Sequence, residues 1–164
     1  MIRKSTGLVW LQREVVETIE ALADHCYPYE VGGMLLGYCT DDPHLVVTHI
    51  IGPGPLSKST RHGFEPDDGF QQDEITRLFE QTKGTALYLG DWHTHPHGRP
   101  ITSSTDRKTL HQIARTTDGA VAPPIMGIWG GYPARWTRAL WQPSKYSSWW
   151  PTCGVVEVQS KVFD

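Results

Sequence analysis

Long apolar runs and clustered cysteines are both missing from this chain of 164 residues. No stretch approaches the roughly 18 consecutive apolar residues that a membrane-spanning helix needs. The basic residues 3–4 are followed by no apolar segment, so we expect no secretory signal. The three cysteines, Cys26, Cys39 and Cys153, lack C-x-x-C spacing and are expected to be small buried side chains in a reducing compartment. Together these absences predict a cytoplasmic protein.

A strong charge of either sign is also lacking. Lys and Arg number 15 against 18 Asp and Glu, for a net charge of −3. This balance argues against a nucleic-acid surface as the main function. The chain is 38% hydrophobic and 20% charged, which is typical of a globular protein, and its length predicts a single domain over residues 1–164.

The most informative residues present are two histidines and one aspartate. His93 and His95 stand two residues apart before Pro96, and Asp106 follows eleven residues after His95. In a strand, side chains two residues apart point to the same face, so both imidazoles can face one point. Proline cannot donate to the ladder and should end the strand. Two His and one carboxylate, with water at a fourth position, are a ligand set of catalytic zinc.

A simpler interpretation of the same residues remains open. Ser103 and Asp106 also fit a helix N-cap followed by an acidic residue at the third helical position. His93 and His95 would then be ordinary strand residues. That interpretation explains each half of the motif separately, but it does not explain the spacing between them.

The apolar spacing along the chain predicts a mixed, mostly antiparallel sheet flanked by helices, an α/β fold of the α+β-like kind. Residues 52–66 hold three Pro and three Gly and are expected to form a long exposed loop. The helix after that loop should turn four side chains inward, namely Phe70, Ile75, Leu78 and Phe79. Helices are predicted over residues 14–25, 67–82 and 106–116. Strands are predicted over residues 8–11, 34–38, 45–51, 86–95, 125–129, 135–141 and 155–162.

Two neighbouring tryptophans stand apart from these elements. Trp149 and Trp150 precede Pro151 and cannot both face inward in a strand. One of them is therefore expected at a surface.

Hydrolysis of an amide needs a base besides the metal, since a carboxylate must take the proton of the water and deliver it to the leaving amine. No H-E-x-x-H motif and no Glu beside the three ligands supply one. Glu30 is the best candidate, because Gly32 and Gly33 after it allow the backbone to approach another segment closely. On the residues alone, Glu30 fits a solvated turn residue equally well.

The combination Glu30-Val31-Gly32-Gly33, then Gly90-Asp91-Trp92-His93-Thr94-His95-Pro96, then Ser103-x-x-Asp106 resembles the JAMM (JAB1/MPN/Mov34) metalloprotease family. The resemblance implies one JAB/MPN domain that binds one Zn²⁺ through His93, His95 and Asp106. It also implies Glu30 as general acid/base and Ser103 as a residue that stabilises the oxyanion. Thr94 replaces the Ser that is common in the family; it is expected to point away from the metal and to matter little.

The sequence around the histidines, with Phe64-Glu65-Pro66-Asp67 upstream, is similar to compact prokaryotic JAB peptidases encoded beside E1- and E2-like proteins. The likeness is greatest to the deconjugating peptidases of bacterial CBASS antiphage operons. It implies an isopeptidase that releases a cGAS-like nucleotidyltransferase from the targets joined to its C-terminus. The implied substrate is a protein with an extended C-terminal tail, with no nucleic-acid or membrane partner; the substrate-binding residues stay undefined.

Other functions stay open. The chain could trim a ubiquitin-like or sulfur-carrier protein or another peptide, or it could be a non-catalytic MPN scaffold. A zinc nucleobase deaminase is disfavoured, because the H-x-E and P-C-x-x-C motifs are both absent.

Overall fold

The computed structural model describes residues 7–117, 122–144 and 154–164. The predictions for Trp149, Trp150 and Cys153 lie outside these ranges. Three helices lie in the described residues: α1 Arg13–Cys26, α2 Asp68–Gln81 and α3 Ser104–Thr116. The strands there are β1 Val9–Gln12, β2 Gly32–Cys39, β3 Leu45–Ile51, β4 Lys58–Thr60, β5 Gly63–Glu65, β6 Leu87–Pro96, β7 Ile125–Tyr132, β8 Arg135–Pro143, β9 Val155–Val158 and β10 Ser160–Phe163.

Eight of the strands form one mixed sheet in the order β10-β1-β3-β2-β6-β7-β8-β9. Four neighbouring pairs are antiparallel (β3 with β2, β2 with β6, β7 with β8, β8 with β9), and three are parallel. The predicted fold class, a mixed and mostly antiparallel sheet with helices, is confirmed. β6 lies near the middle of the sheet, between β2 and β7.

The sheet curls strongly on itself. β9 pairs with β8 at one end of the strand order and β10 pairs with β1 at the other, yet only Gln159 separates β9 from β10. A single residue spans at most about 3.6 Å, so the two ends of the sheet must lie side by side. The prediction of one continuous strand over residues 155–162 was therefore wrong at Gln159, where the chain passes from one edge to the other.

The main core lies between α1 and the sheet. Four α1 side chains are buried at helical spacing, namely Val15, Val16, Ile19 and Ala23. The helix begins directly after β1 and turns this face onto a cluster of strand residues that includes Trp92 and Trp129. Those two indoles meet edge to face, with centroids 6.4 Å apart. Because Trp92 immediately precedes His93, this contact anchors the β6 segment that carries the histidines.

Two smaller predictions need correction. The segment 52–66 contains the hairpin β4–β5, with pairs Lys58↔Glu65 and Thr60↔Gly63, so it is not wholly irregular. Phe79 was predicted to face inward but is 51% exposed, while Leu78 is buried. The ring of Phe79 lies against Gly84 in the turn after α2, where an added Cβ would come within 3.2 Å of it. No helix in the described ranges is long and apolar enough to cross a membrane.

Candidate metal and catalytic site

The two histidines lie at the end of β6 and face the same side of the sheet. Their Nε2 atoms are 3.0 Å apart and their ring centroids 4.8 Å apart. β6 ends at Pro96, as the sequence predicts. Nδ1 of His95 lies 3.2 Å from the carbonyl oxygen of Arg99. A proton on that nitrogen donates to the carbonyl and leaves the Nε2 lone pair directed at the shared point.

The first turn of α3 brings a carboxylate to the same point. Ser103 caps the helix: its Oγ accepts from Asp106 N–H at 3.1 Å, and its own N–H donates to Asp106 Oδ2 at 2.7 Å. Asp106 Oδ1 lies 3.2 Å from His93 Nε2, and Oδ2 lies 3.4 Å from His95 Nε2. The capping interpretation is therefore confirmed, and it does not exclude the metal interpretation, since the same carboxylate also faces both imidazoles.

The three side chains lie close enough together to bind one tetrahedrally coordinated metal ion. Their ligand atoms all lie within 4.8 Å of one another. A tetrahedral Zn²⁺ with bonds of about 2.0–2.1 Å separates its ligands by about 3.3 Å. The Nε2–Nε2 distance of 3.0 Å is close to that edge, and the contacts of 3.2 and 3.4 Å place one oxygen of the Asp106 carboxylate near each imidazole. Two imidazoles and one carboxylate also leave a fourth position to water or substrate.

The same contacts shift the ionisation of the donors. Burial raises the pKa of Asp106, but the hydrogen bonds from His93 and His95 outweigh it and hold that pKa well below its usual range. Burial lowers the pKa of His95, while its hydrogen bonds with Asp106 and the Arg99 carbonyl raise it to a net value above the ordinary one. The carboxylate is thus ionised, as a metal ligand must be.

Glu30 lies beside this group on the segment between α1 and β2. It lines the same open cavity of about 970 Å³ as His93, His95, Ser103 and Asp106. Burial raises the pKa of Glu30, partly opposed by the charges of His93 and His95. A carboxyl with a raised pKa beside His93, His95 and Asp106 suits proton transfer, and its burial shows that Glu30 is not a freely solvated turn residue.

The two glycines after Glu30 permit a close approach of strands. A Cβ on Gly33 would lie 1.9 Å from the carbonyl oxygen of Ile51, and one on Gly32 would lie 2.6 Å from that of Trp92. Neither position has room for a side chain. The close backbone passage that the sequence predicts at this pair is present, and it brings Glu30 up to β6.

The family of the chain follows from comparison with known proteins. The family model described as prokaryotic homologues of the JAB domain matches residues 12–150. The chain belongs to this family. The solution structure of a protein from Desulfitobacterium hafniense is similar in fold, with a TM-score of 0.64, 19% identity, and coverage of 95% of this chain and 93% of that one.

Relatives within the family carry names that agree with the predicted metalloprotease. A protein of Sinorhizobium fredii, named a probable metalloprotease, is 35% identical over 82% of this chain and 82% of its own length. A CD-NTase/cGAS isopeptidase of Escherichia coli is 37% identical over 62% of this chain and 65% of its own. One of Vibrio cholerae is 41% identical over 48% of this chain and 49% of its own.

One residue of this JAB domain has contacts that the sequence did not lead us to expect. Thr94, between the two histidines, is fully buried and faces away from the metal group, as predicted. Its Oγ1, however, accepts the Val31 N–H at 3.0 Å, one residue after Glu30. The sequence pointed to this contact only through the hydroxyl group, which Thr94 shares with the Ser that is common at this position in the family.

A second unexpected pair lies on the strand that leads to the histidines. The Tyr88 hydroxyl donates to Asp91 Oδ1 at 2.8 Å, and Asp91 lines the cavity. The β2–β6 register slips between Leu35 and Leu36, which face Gly90 and Tyr88. A bulge therefore interrupts the alternation of side chains at Leu89, and neither the bulge nor this contact is visible in the sequence pattern.

Proposed function

We propose that this JAB-family protein is a zinc-dependent isopeptidase or peptidase that cleaves the bond after the C-terminus of a conjugated protein. The observation that carries the proposal is the grouping of His93, His95 and Asp106, whose ligand atoms lie close enough to share one metal ion, beside the half-buried Glu30. In this proposal residues 1–164 act as one domain, located in the cytoplasm.

His93, His95 and Asp106 would hold one Zn²⁺ per chain. The metal, when bound, supplies Lewis-acid polarisation of a water and of the scissile carbonyl. The protein supplies the orientation of the three donors. His95 is fixed by the Arg99 carbonyl, and Asp106 is fixed by the N–H of Ser103.

Glu30 would carry the proton through the reaction. Its carboxylate accepts a proton from water as the water oxygen bonds to the scissile carbonyl carbon. The same proton then passes from Glu30 to the amide nitrogen as the carbon–nitrogen bond breaks. The products are a C-terminal carboxylic acid on one protein, which then ionises by releasing its proton to solvent, and a free amine on the other, and Glu30 returns to its ionised form.

Ser103 would donate a hydrogen bond to the oxyanion formed in this addition. Its Oγ acts as acceptor towards Asp106 N–H, so that bond does not use the hydroxyl proton. The side chain is exposed and lines the cavity, where that proton can reach a substrate oxygen. Donors aimed at developing negative charge are typically worth about 10²–10³ in rate.

The hairpin β4–β5 would cover an extended substrate tail. Arg61 and Phe64 of the hairpin line the same cavity as the candidate metal ligands. Strand addition supplies main-chain hydrogen bonds with little demand on sequence, which suits a flexible C-terminal tail.

The proposed substrate is a cGAS-like nucleotidyltransferase joined through its C-terminus to a target protein in antiphage defence. The support is the likeness to the CD-NTase/cGAS isopeptidases of two bacteria. The proposal includes a functional link to E1- and E2-like conjugation proteins. A ubiquitin-like or sulfur-carrier conjugate is the alternative substrate, and a non-catalytic scaffold is disfavoured because all five functional positions are present.

Two matched conjugates test the substrate. One joins the C-terminus of a cGAS-like nucleotidyltransferase to a reporter lysine; the other joins a ubiquitin-like Gly-Gly tail to the same lysine. We expect faster cleavage of the first, loss of cleavage with a chelator, and recovery with added zinc. Cleavage of only the second would remove the nucleotidyltransferase assignment alone. Cleavage of neither conjugate would remove the isopeptidase proposal for both substrates.

A further inference from the structure

The pairing of β2 with β6 ends in an irregular way beside Glu30 and the two histidines. The regular register stops at Gly32↔His93. Beyond it Thr94 N–H still donates to the Val31 carbonyl, at 2.9 Å. In a regular antiparallel pair the Val31 N–H would return a bond to the Thr94 carbonyl. It donates to the Thr94 hydroxyl instead, at 3.0 Å.

Regular pairing of β2 with β6 ends at the residue where this exchange of acceptor occurs. A side-chain oxygen in place of a main-chain carbonyl lets residue 31 depart from the line of β2 while both of its polar groups stay bonded. The residue before it is Glu30. Thr94 is fully buried, so water does not compete for the Val31 N–H.

The other side of Glu30 is also fixed through main chain. Its N–H donates to the carbonyl of Thr60 in the β4–β5 hairpin, at 2.8 Å. The backbone at Glu30 is thus bonded to the hairpin on one side and to the histidine strand on the other. Of these two attachments, the bond to Thr94 joins the segment to the proposed metal ligands, since His93 and His95 flank that residue.

We propose that Thr94 is a positioning residue whose hydroxyl fixes the Glu30 main chain relative to the metal ligands. The inference rests on the proposed function, because it assigns Thr94 a part in the work of Glu30. Thr94 touches neither substrate nor metal in this account, since its side chain lies on the face opposite the histidines. The inference explains why a hydroxyl residue stands between the two ligands.

Isosteric substitution of Thr94 separates the effect of losing the hydroxyl from the effect of changing the side-chain volume. Thr94→Val keeps the branched shape but offers no acceptor, whereas Thr94→Ser keeps the acceptor and loses a methyl. Misplacement of a catalytic group by about 1 Å costs up to about 100-fold in rate. We therefore expect Thr94→Val to lower kcat about 10- to 100-fold, with KM and zinc content unchanged, and Thr94→Ser to restore kcat to near wild type.

A matched control and a second variant guard against a general folding effect. Thr137→Val removes another strand hydroxyl, which donates to the Gly130 carbonyl at 3.2 Å, and should leave kcat unchanged. Thr94→Ala also lacks the acceptor but relieves any crowding. If Thr94→Val does not fold, Thr94→Ala should show the same loss of kcat against Thr94→Ser.

Amide hydrogen exchange reports on the hydrogen bond from the Val31 N–H to the Thr94 hydroxyl without any substrate. The Val31 N–H should exchange slowly in wild type and Thr94→Ser, and much faster in the valine and alanine variants. Equal Val31 exchange or equal kcat in Thr94→Val and wild type would each overturn the proposal. If the wild type cleaves no conjugate, the proposed function fails by itself, and the exchange rates still decide whether Thr94 anchors this segment.

Discussion

The Asp106 side chain both caps a helix and lies where it can bind a metal ion. Its carboxylate closes the capping box of α3 and also faces both imidazoles. The sequence allowed each interpretation separately, because a cap and a metal ligand demand the same residue type at the same position. Only the distances in the folded chain show that one carboxylate can serve both purposes.

Removal of a single imidazole tests the ligand set. His95→Ala leaves two protein ligands, and we expect the affinity for zinc to fall by more than the roughly 10–100-fold typical of outer-shell mutations. Elemental analysis after dialysis should then show little zinc, against one per chain in wild type. The stabilisation of the fold by added zinc should be lost as well.

His97→Ala is the matched control for that variant. His97 lies two residues after His95, but the strand has ended and its φ is 61°, so its ring leaves the ligand face. Its Nε2 lies 2.5 Å from the Tyr27 hydroxyl. Zinc should stay at one per chain in this variant. Full zinc occupancy in His95→Ala, or loss of zinc in His97→Ala, would show that the ligands are assigned wrongly.

At the scale of elements, the close approach of β2 to its neighbours depends on glycine. In Gly33→Ala the new methyl would meet the main-chain oxygen of Ile51 at 1.9 Å, and backbone cannot move aside cheaply. We expect a loss of roughly 3 kcal/mol or more in the free energy of unfolding, measured by urea denaturation. Gly52→Ala is the control, since its nearest atom would be 3.9 Å away, and it should change stability by less than about 0.5 kcal/mol. Equal stability of the two variants would contradict this account of the sheet.

The β4–β5 hairpin gives a second prediction at this scale. Replacing residues 58–65 by a short Gly-Ser linker removes Arg61 and Phe64 from the cavity, so KM for a protein conjugate should rise. The carbonyl of Thr60 is lost as well, which frees the Glu30 N–H, so kcat should also fall. Zinc content should stay at one per chain, because no ligand lies in the hairpin. An unchanged kcat/KM would exclude any part for the hairpin in binding.

The elements that the sequence predicted well are those with a strong local pattern. The α1 face repeats apolar residues at helical spacing, and β6 ends at a proline. The hairpin was missed because its strands are three residues long, and β4 is exposed throughout. Such short polar strands carry no alternation, and their pairing is decided by the neighbouring structure.

At the scale of the whole molecule, the closure of the sheet was beyond prediction from the sequence. β1 pairs in parallel with β10, from the opposite end of the chain, and a local pattern contains no information about such a partner. The grouping of His93, His95 and Asp106 was predictable, since the His-x-His spacing on a strand and the cap of a following helix determine its geometry locally. The place of Glu30 was predictable only in part: the glycine pair indicated a close approach to another segment, but neither the partner strand β6 nor the bond from the Val31 N–H to the Thr94 hydroxyl is visible in the sequence.

The most direct test of the proposed mechanism is a comparison of wild type with Glu30→Gln on the cleavable conjugate. Glutamine keeps the shape and hydrogen bonding of the side chain but cannot accept the proton of water. We expect kcat to fall by about 10²–10⁴, with zinc at one per chain and with uncleaved conjugate still bound to the variant. Loss of zinc together with activity would make Glu30 a ligand or a structural residue. Retained activity would contradict the mechanism outright, because no other base would be identified for the reaction.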